Sequence, residues 1–129
     1  SNLNLGLESM SKEMRYGTVY HCGTNNPQTN PRNCAAGDIY FTFLSNENVQ
    51  ITYQLNGTVI EKKVGSEPFI PVTAPELIVD NLTFYTFGAP LGDGLQPKTI
   101  IRIKSHSGTL DARTDFTLET MVSQRELDI

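Results

Sequence analysis

The first sixteen residues, SNLNLGLESMSKEMRY (1–16), form the part of this sequence with the pattern of an amphipathic helix. Apolar side chains recur there at i, i+4, i+7 and i+11, the spacing of a single helical face, at Leu3, Leu7, Met10 and Met14. Gly17 follows, and glycine suits the left-handed conformation that often ends a helix. We therefore predict a helix over residues 1–17 that packs this apolar face against the rest of the protein.

The remaining residues, 18–129, have the patterns of β-strands. Two strands, Val49–Leu55 and Thr58–Val64, flank Asn56-Gly57, the pair typical of a type I′ hairpin turn. Prolines between residues 65 and 75 place that stretch at a sheet edge or in a loop. Other strands are predicted at Thr18–His21, Ile39–Leu44, Leu82–Phe87, Thr99–Lys104 and Asp115–Val122. The expected fold class is α+β, an N-terminal amphipathic helix packed on one antiparallel β-sheet meander of about six strands.

The composition indicates one small, mildly acidic domain over residues 1–129. The chain has 129 residues, a formal net charge of -4 and 38% hydrophobic residues, so a single core is expected. Its longest apolar runs, such as Leu77-Ile78-Val79, are much shorter than the roughly 20 residues of a membrane-spanning helix. Ten basic residues against fourteen acidic ones, without a basic cluster, disfavour nucleic-acid binding.

Two cysteines, Cys22 and Cys34, bracket CGTNNPQTNPRNC, a stretch without a regular pattern. We predict a disulfide between them, which would close a loop of about 13 residues and stabilise the domain by on the order of 3 kcal/mol. A disulfide would also place the protein in an oxidising, extracytoplasmic compartment. Two free thiols are the alternative. A metal site is less favoured, because the sequence has no Cys-x-x-Cys, and His21 beside Cys22 would be an unusual chelate with only Cys34 and the distant His106 to complete it.

The sequence contains none of the motifs that mark common catalytic or cofactor sites. It has no nucleophile elbow, no phosphate-binding loop, no His-Glu-x-x-His and no Gly-x-Gly-x-x-Gly. We therefore predict neither enzyme activity nor a cofactor. His21 and His106 lie at the ends of predicted strands, where a solvated or capping role is usual.

Three further residues invite a site interpretation. Asp93, within Gly-Asp-Gly, is a candidate calcium ligand, but calcium takes about six to eight oxygens and this loop supplies one carboxylate. A plain turn is therefore favoured. Asn56-Gly-Thr and Asn81-Leu-Thr match the N-glycosylation sequon, but such matches often arise by chance, and we assign no sugar to either.

Residues at both ends of the chain resemble a known family. The segment NLGLESMSKEMRYG (4–17) resembles the lower helix of type IV pilin-like proteins, particularly the minor pseudopilins of type II secretion. The segment FTLETMVSQRELDI (116–129) is similar to the tail of many prepilin-type proteins. Between these two segments the sequence gives no further resemblance.

The resemblance implies a pilin-like fold and an assembly function. Residues 1–17 would be the lower part of the pilin helix, and residues 18–129 the β-rich head. The chain would be a structural subunit of a type IV pilus or a type II secretion pseudopilus, whose partners are other pilin or pseudopilin subunits. A membrane helix and a processed, methylated N-terminus would lie upstream, anchoring the subunit in the cytoplasmic membrane before it joins a cell-surface filament.

Two alternatives remain open from the sequence. The apolar face of the helix is also typical of an ordinary amphipathic helix in any α+β domain. The chain would also suit an extracellular binding or adhesion module that recognises a carbohydrate or a protein. In that case Tyr40, Tyr53 or Tyr85 would stand on an exposed sheet face and stack on the ligand.

Overall fold

The structure is a computed structural model that describes residues 2–92, 94–108 and 112–125, with side chains from residue 6 onward. Over these residues the chain forms one helix and nine strands, in the order α1 (Asn2–Arg15), β1 (Thr18–Cys22), β2 (Cys34–Asp38), β3 (Tyr40–Leu44), β4 (Gln50–Asn56), β5 (Val59–Val64), β6 (Ile70–Pro71), β7 (Leu77–Phe87), β8 (Lys98–Ser107) and β9 (Thr114–Ser123). Within this part of the chain, α1 lacks the length and apolarity needed to cross a bilayer.

The strands form two antiparallel sheets instead of one. The first sheet has the order β1-β3-β4-β5-β6, and the second has the order β2-β7-β8-β9. The predicted α+β fold, a helix packed on a single meander, is therefore wrong, because the described chain is mostly β with one short helix. Alternating apolar residues show that one face of a strand is buried, but the pattern is the same whether a helix or another sheet buries it. Here the second sheet provides most of the cover, since a helix of 14 residues spans only part of a sheet.

The core lies between the facing sides of the two sheets. Phe41 of β3 stacks on Phe84 of β7 with ring centroids 5.3 Å apart, and Tyr20 of β1 meets Phe41 edge-on at the same distance. The other buried side chains come from both sheets and include Phe43, Ile51, Tyr53, Ile60, Leu82, Ile101 and Ile103. Each fully buried apolar side chain of this size contributes roughly 1.5–3 kcal/mol. This apolar layer is what holds the two sheets face to face.

Helix α1 directs its apolar residues into this core. Met10 and Met14 are 2% and 0% exposed, and Leu7 is partly buried against them. The side chain of Leu3, predicted for the same face, lies outside the described set. The hydroxyl of Tyr20 donates a hydrogen bond of 2.5 Å to the carbonyl oxygen of Met14, which fixes the end of the helix against β1.

The same helix bridges the two sheets. The carboxylate of Glu13 accepts a hydrogen bond of 2.8 Å from Lys62 Nζ on β5 and another from the hydroxyl of Tyr53 on β4. These two partners belong to the first sheet. On its other side the helix contacts β9 of the second sheet. The helix therefore closes one side of the space between the sheets.

Gly17 serves a different purpose from the predicted helix cap. The helix ends at Arg15, and Gly17 does not adopt a positive φ. A Cβ atom at this position would lie 2.5 Å from Phe43 Cδ2 and 2.8 Å from the carbonyl oxygen of Leu44. Glycine is required because the chain leaving the helix passes very close to β3.

The predicted hairpin is present, with its turn displaced by one residue. Asn56 pairs with Val59, so the two loop residues are Gly57 and Thr58. Only Gly57, with φ of 63°, has a positive φ in this turn. That pattern is typical of a type II′ turn, which needs glycine at its first central position, and the predicted type I′ turn is therefore wrong.

The edges of the two sheets differ in how they are protected. Edge strand β6 has two residues, one of which is Pro71. The backbone of β1 is covered by the loop between the cysteines, because the amide of Cys22 donates to the carbonyl oxygen of Arg32 at 3.1 Å. Strand β2 has five residues and an irregular register with β7. In contrast, β9 pairs with β8 over ten consecutive residues, and no strand in the described part of the chain pairs with its other edge.

Candidate interaction surface

Cys22 and Cys34 form a disulfide, as the sequence predicts, with their Cα atoms 5.7 Å apart. The described residues contain no free cysteine, so the alternative of two thiols is excluded. Cys22 lies on β1 and Cys34 on β2, and the bond therefore joins an edge of the first sheet to an edge of the second. The disulfide and the helix α1 thus tie the two sheets together at different places.

The two histidines have different environments, and the solvated or capping role predicted for His21 is wrong. His21 is 2% exposed, and its Nδ1–H donates a hydrogen bond of 2.6 Å to the carbonyl oxygen of Asn30, in the loop between the cysteines. Its Nε2 is buried without a hydrogen-bond partner in the described chain. His106 is partly exposed, and its Nδ1 donates to Asp80 Oδ2 at 2.7 Å. The two rings lie on different sheets, and the described residues contain no group of three or more His, Cys, Asp and Glu arranged to hold a metal.

The three tyrosines proposed for ligand stacking do not share a surface. Tyr53 points inward and is 2% exposed, and burial, together with its hydrogen bond to Glu13, raises the pKa of its hydroxyl well above the ordinary value. Tyr40 lies in the outward phase of β3 in the first sheet. Tyr85 lies on the outer face of the second sheet, where the Arg102 guanidinium sits 5.6 Å from its ring centroid. The arrangement brings no two of these rings together as a stacking platform.

Two of the sequon and loop residues can be placed. Asn56 is exposed beside the hairpin turn, and Asn81 is exposed on β7, where its Oδ1 accepts a hydrogen bond of 2.9 Å from Thr83 Oγ1. Asp93, the candidate calcium ligand, lies outside the described residues.

An apolar groove lies on the outer face of the second sheet. It has a volume of about 600 Å³, and we call it the outer groove; its wall is formed mainly by Phe87, Leu95, Lys98, Ile100, Met121 and Ser123. The register explains how the sheet residues meet, since Phe87, Lys98 and Ser123 occupy one row across β7, β8 and β9. Ile100 and Met121 occupy the next row, and Leu95 comes from the loop that joins β7 to β8.

The outer groove combines exposed apolar surface with one cation. Leu95 is 59% exposed and Met121 is 58% exposed, and Leu91 in the same loop is 74% exposed. Lys98 stands at the rim and makes no ion pair with an acid in the described part of the chain. The groove can therefore take an apolar group, and its rim can accept a negative charge.

Our sequence analysis did not identify the outer groove, although a signal for it exists. Ile100 shares the outward phase of β8 with Arg102, and Met121 shares that of β9 with Glu119. Apolar residues in the polar phase of two neighbouring strands indicate an apolar patch on the solvent side. The contribution of Leu95 depends on how the loop folds, which the strand pattern does not encode.

Comparison with known proteins adds no relative. No protein-family model matches this chain, and no match was found among curated proteins or solved structures. The pilin-like resemblance of the two chain ends therefore stays a proposal, and the surfaces described above are the basis for an inference about function.

Proposed function

We propose that this chain is a structural and interaction domain of an extracytoplasmic protein assembly, and that another protein subunit docks in its outer groove. The observation that carries the proposal is the apolar cluster there, in which exposed Leu95 and Met121 lie beside half-buried Ile100. Contiguous apolar surface of this kind often marks a site of protein–protein contact. Covering it removes apolar area from water, which favours association.

Two properties of the groove suit a protein partner. Methionine has a flexible, polarizable side chain that adapts to the shape of an incoming surface, and Met121 is the most exposed apolar sheet residue of the groove. The rim cation Lys98 adds a site for a carboxylate, which would fix the orientation of the partner more than its affinity. The Cys22–Cys34 disulfide supports the extracytoplasmic location, because such bonds persist mainly in oxidising compartments.

A narrower proposal is that the assembly is a type IV pilus or a type II secretion pseudopilus. It rests on the resemblance of residues 4–17 and 116–129 alone. The partners would then be other pilin or pseudopilin subunits. The coding sequence upstream of residue 1 tests it directly: a short basic leader ending in glycine, followed by about 20 apolar residues, supports it. A cleaved signal peptide or another folded domain at that place contradicts it.

Site-specific photo-crosslinking in cells that produce the parent protein tests the docking proposal. A photoreactive phenylalanine analogue replaces Met121 in the outer groove or, as the matched control, exposed Glu67 in the loop between β5 and β6. We expect a defined protein adduct from position 121 only, and we expect Ile100→Glu to abolish it by placing a charge on the groove floor.

Two outcomes would overturn the docking proposal. Equal cross-linking from both positions would show that the groove is not a preferred contact. Saturable binding of a glycan to the purified domain, lost in Tyr85→Ala and unaffected by Ile100→Glu, would favour the carbohydrate-binding alternative.

A further inference from the structure

A second groove runs between helix α1 and the edge of β9 that pairs with no strand in the described part of the chain. It has a volume of about 530 Å³, and we call it the edge groove; the β9 side is formed by residues 118–120 and the helix side by Leu7, Glu8, Ser11, Lys12, Arg15 and Tyr16. Successive side chains of a strand point to opposite faces of its sheet. A groove on one face of the sheet would contact every second residue of β9. Because three consecutive residues border this groove, it follows the backbone edge of the strand.

Within the described residues, this edge carries backbone groups that have no hydrogen-bond partner. In an antiparallel ladder, about half of the amide and carbonyl groups of an edge strand point away from its single neighbour. Strand β9 is paired with β8 from Thr114 to Ser123. In the described part of the chain, its backbone makes no hydrogen bond to any other loop or helix. An added strand would lie about 4.8 Å from β9, within the edge groove.

The charges along the edge groove favour an acidic occupant. Lys12 and Arg15 lie one turn apart on the helix side, and neither forms an ion pair with an acid in the described part of the chain. On the other side, the carboxylate of Glu119 is already bonded to Arg102 Nε at 2.8 Å. Glu8 is the remaining described acid of the groove, so the free cations outnumber the free acids there.

The charges also favour a segment of another protein over a second copy of this domain. In a second copy, β9 would be the added strand, and its two acids, Asp115 and Glu119, are already paired with Arg113 and Arg102. A second copy would therefore bring no free carboxylate of β9 to Lys12 and Arg15. An extended acidic segment of a partner protein supplies those carboxylates.

We propose that an extended segment of a partner protein, carrying acidic side chains, binds in the edge groove as a fifth strand of the second sheet. Backbone hydrogen bonds to β9 would supply the general affinity, and Lys12 and Arg15 would select the acidic side chains. Leu7 and Leu118 offer apolar surface to alternate side chains of the segment. This inference goes beyond the outer groove, which lies on the solvent face of the same sheet, and it stands without it.

Two synthetic strand peptides serve as probes. In the acidic peptide, valine occupies every second position, and threonine and aspartate fill the positions between. In the other peptide, lysine replaces each aspartate. We expect the acidic peptide to bind the purified domain, and the lysine peptide to bind on the order of tenfold more weakly, as measured by fluorescence anisotropy at low salt. The double variant Lys12→Glu/Arg15→Glu should reverse this preference, whereas Ile100→Glu in the outer groove should leave it unchanged.

Hydrogen–deuterium exchange provides the structural readout. Binding of the acidic peptide should slow the exchange of those backbone amides of β9 around residues 118–120 that point away from β8. Exchange in β5 and β6 should not change. The absence of binding, equal affinity for the two peptides, or binding without protection of β9 would overturn the proposal. So would a dimer of the domain in sedimentation that protects β9 without any peptide, since the occupant would then be a second copy.

The outcomes are separable from those of the docking proposal. Failure of peptide binding leaves cross-linking from Met121 untouched, and loss of cross-linking from Met121 leaves protection of β9 untouched.

Discussion

Three of the four sheet edges, which we call the guarded edges, have features that hinder pairing with another chain, whereas the edge of β9, which we call the open edge, has none among the described residues. The edges formed by β1, β2 and β6 are shortened, irregular, covered by a loop or interrupted by proline. Strand β9 is ten residues long, regular in register and free of glycine and proline. Exposed strand edges promote unwanted pairing, and proteins usually blunt them.

The contrast shows that the protection is local. The loop between the cysteines covers β1, and the disulfide at its ends joins β1 to β2. The same disulfide-bonded loop therefore protects two of the guarded edges. On the opposite side of the second sheet, the helix approaches β9 but leaves a groove between them. A regular strand edge beside a groove, paired with no other described residue, suits the strand addition proposed above.

Removing the disulfide should have the largest effect on stability. In the double variant Cys22→Ser/Cys34→Ser, the unfolded chain is no longer constrained by the cross-link, and the free energy of unfolding should fall by about 3 kcal/mol. Thermal denaturation followed by circular dichroism measures this as a lower Tm with similar secondary structure. Reduced wild-type protein provides the matched control, and an unchanged Tm in both samples would contradict the role given to the bond.

Breaking the bridge between helix and first sheet should have the next largest effect. Glu13→Ala removes the acceptor of Lys62 and Tyr53, and should lower the free energy of unfolding by about 1–3 kcal/mol, because a buried hydroxyl loses its partner. Glu8→Ala, on the exposed side of the same helix, should change it by less than about 0.5 kcal/mol. Chemical denaturation compares the two, and equal losses would show that the bridge contributes nothing specific.

Alkaline pH should weaken the fold through the buried tyrosines. Burial raises the pKa of both Tyr20 and Tyr53 above the ordinary value of 10.0, so the folded protein retains protons that the unfolded chain releases. Their contribution is fully present below pH 10.0 and is lost as pH rises above it. Denaturant unfolding at pH of about 8 and about 11 should show this loss, and Tyr53→Phe should reduce it.

The matched control for the pH dependence is Tyr40→Phe, in the outward phase of the same sheet. If Tyr40→Phe flattens the pH dependence as much as Tyr53→Phe, the buried hydroxyl is not its origin.

A substitution on the open edge should have the smallest effect on stability. Thr117→Glu places a charge on an exposed position of β9, directly opposite Lys104 of β8, and should change the free energy of unfolding by less than about 0.5 kcal/mol. It should also make β9 more like a guarded edge, because a charged side chain on an edge strand opposes pairing with other chains. Sedimentation of concentrated protein measures any such association, and a stability loss above about 1 kcal/mol would indicate that this edge is already covered.

The sequence predicts the local elements of this fold better than their arrangement. The helix, the hairpin around Gly57 and the disulfide depend on residues close in the chain, and their patterns carry the information. The division into two sheets depends on which strands pair over long distances in the chain, as β2 does with β7, and the alternation along each strand does not specify its partner.

The same limit applies to the candidate surfaces. Met121 and Ile100 alternate in phase with the solvent-facing residues of their strands, so the sequence could have predicted that both lie on the outer face of the sheet. The edge groove was not, because it exists only where α1 lies beside β9, more than a hundred residues later in the chain. His21 was misjudged for a related reason: its burial comes from a loop that folds back over β1.

Hydrogen exchange of the free domain, resolved to single amides, tests the central contrast most directly. We predict that alternate amides of Thr114–Ser123 exchange rapidly, as unpaired groups of an open edge, while the amides of Cys22 and Arg32 exchange slowly because they are bonded across β1 and its covering loop. Slow exchange at every amide of β9 would show that its edge is already occupied. That result would contradict the open edge and the strand addition inferred from it.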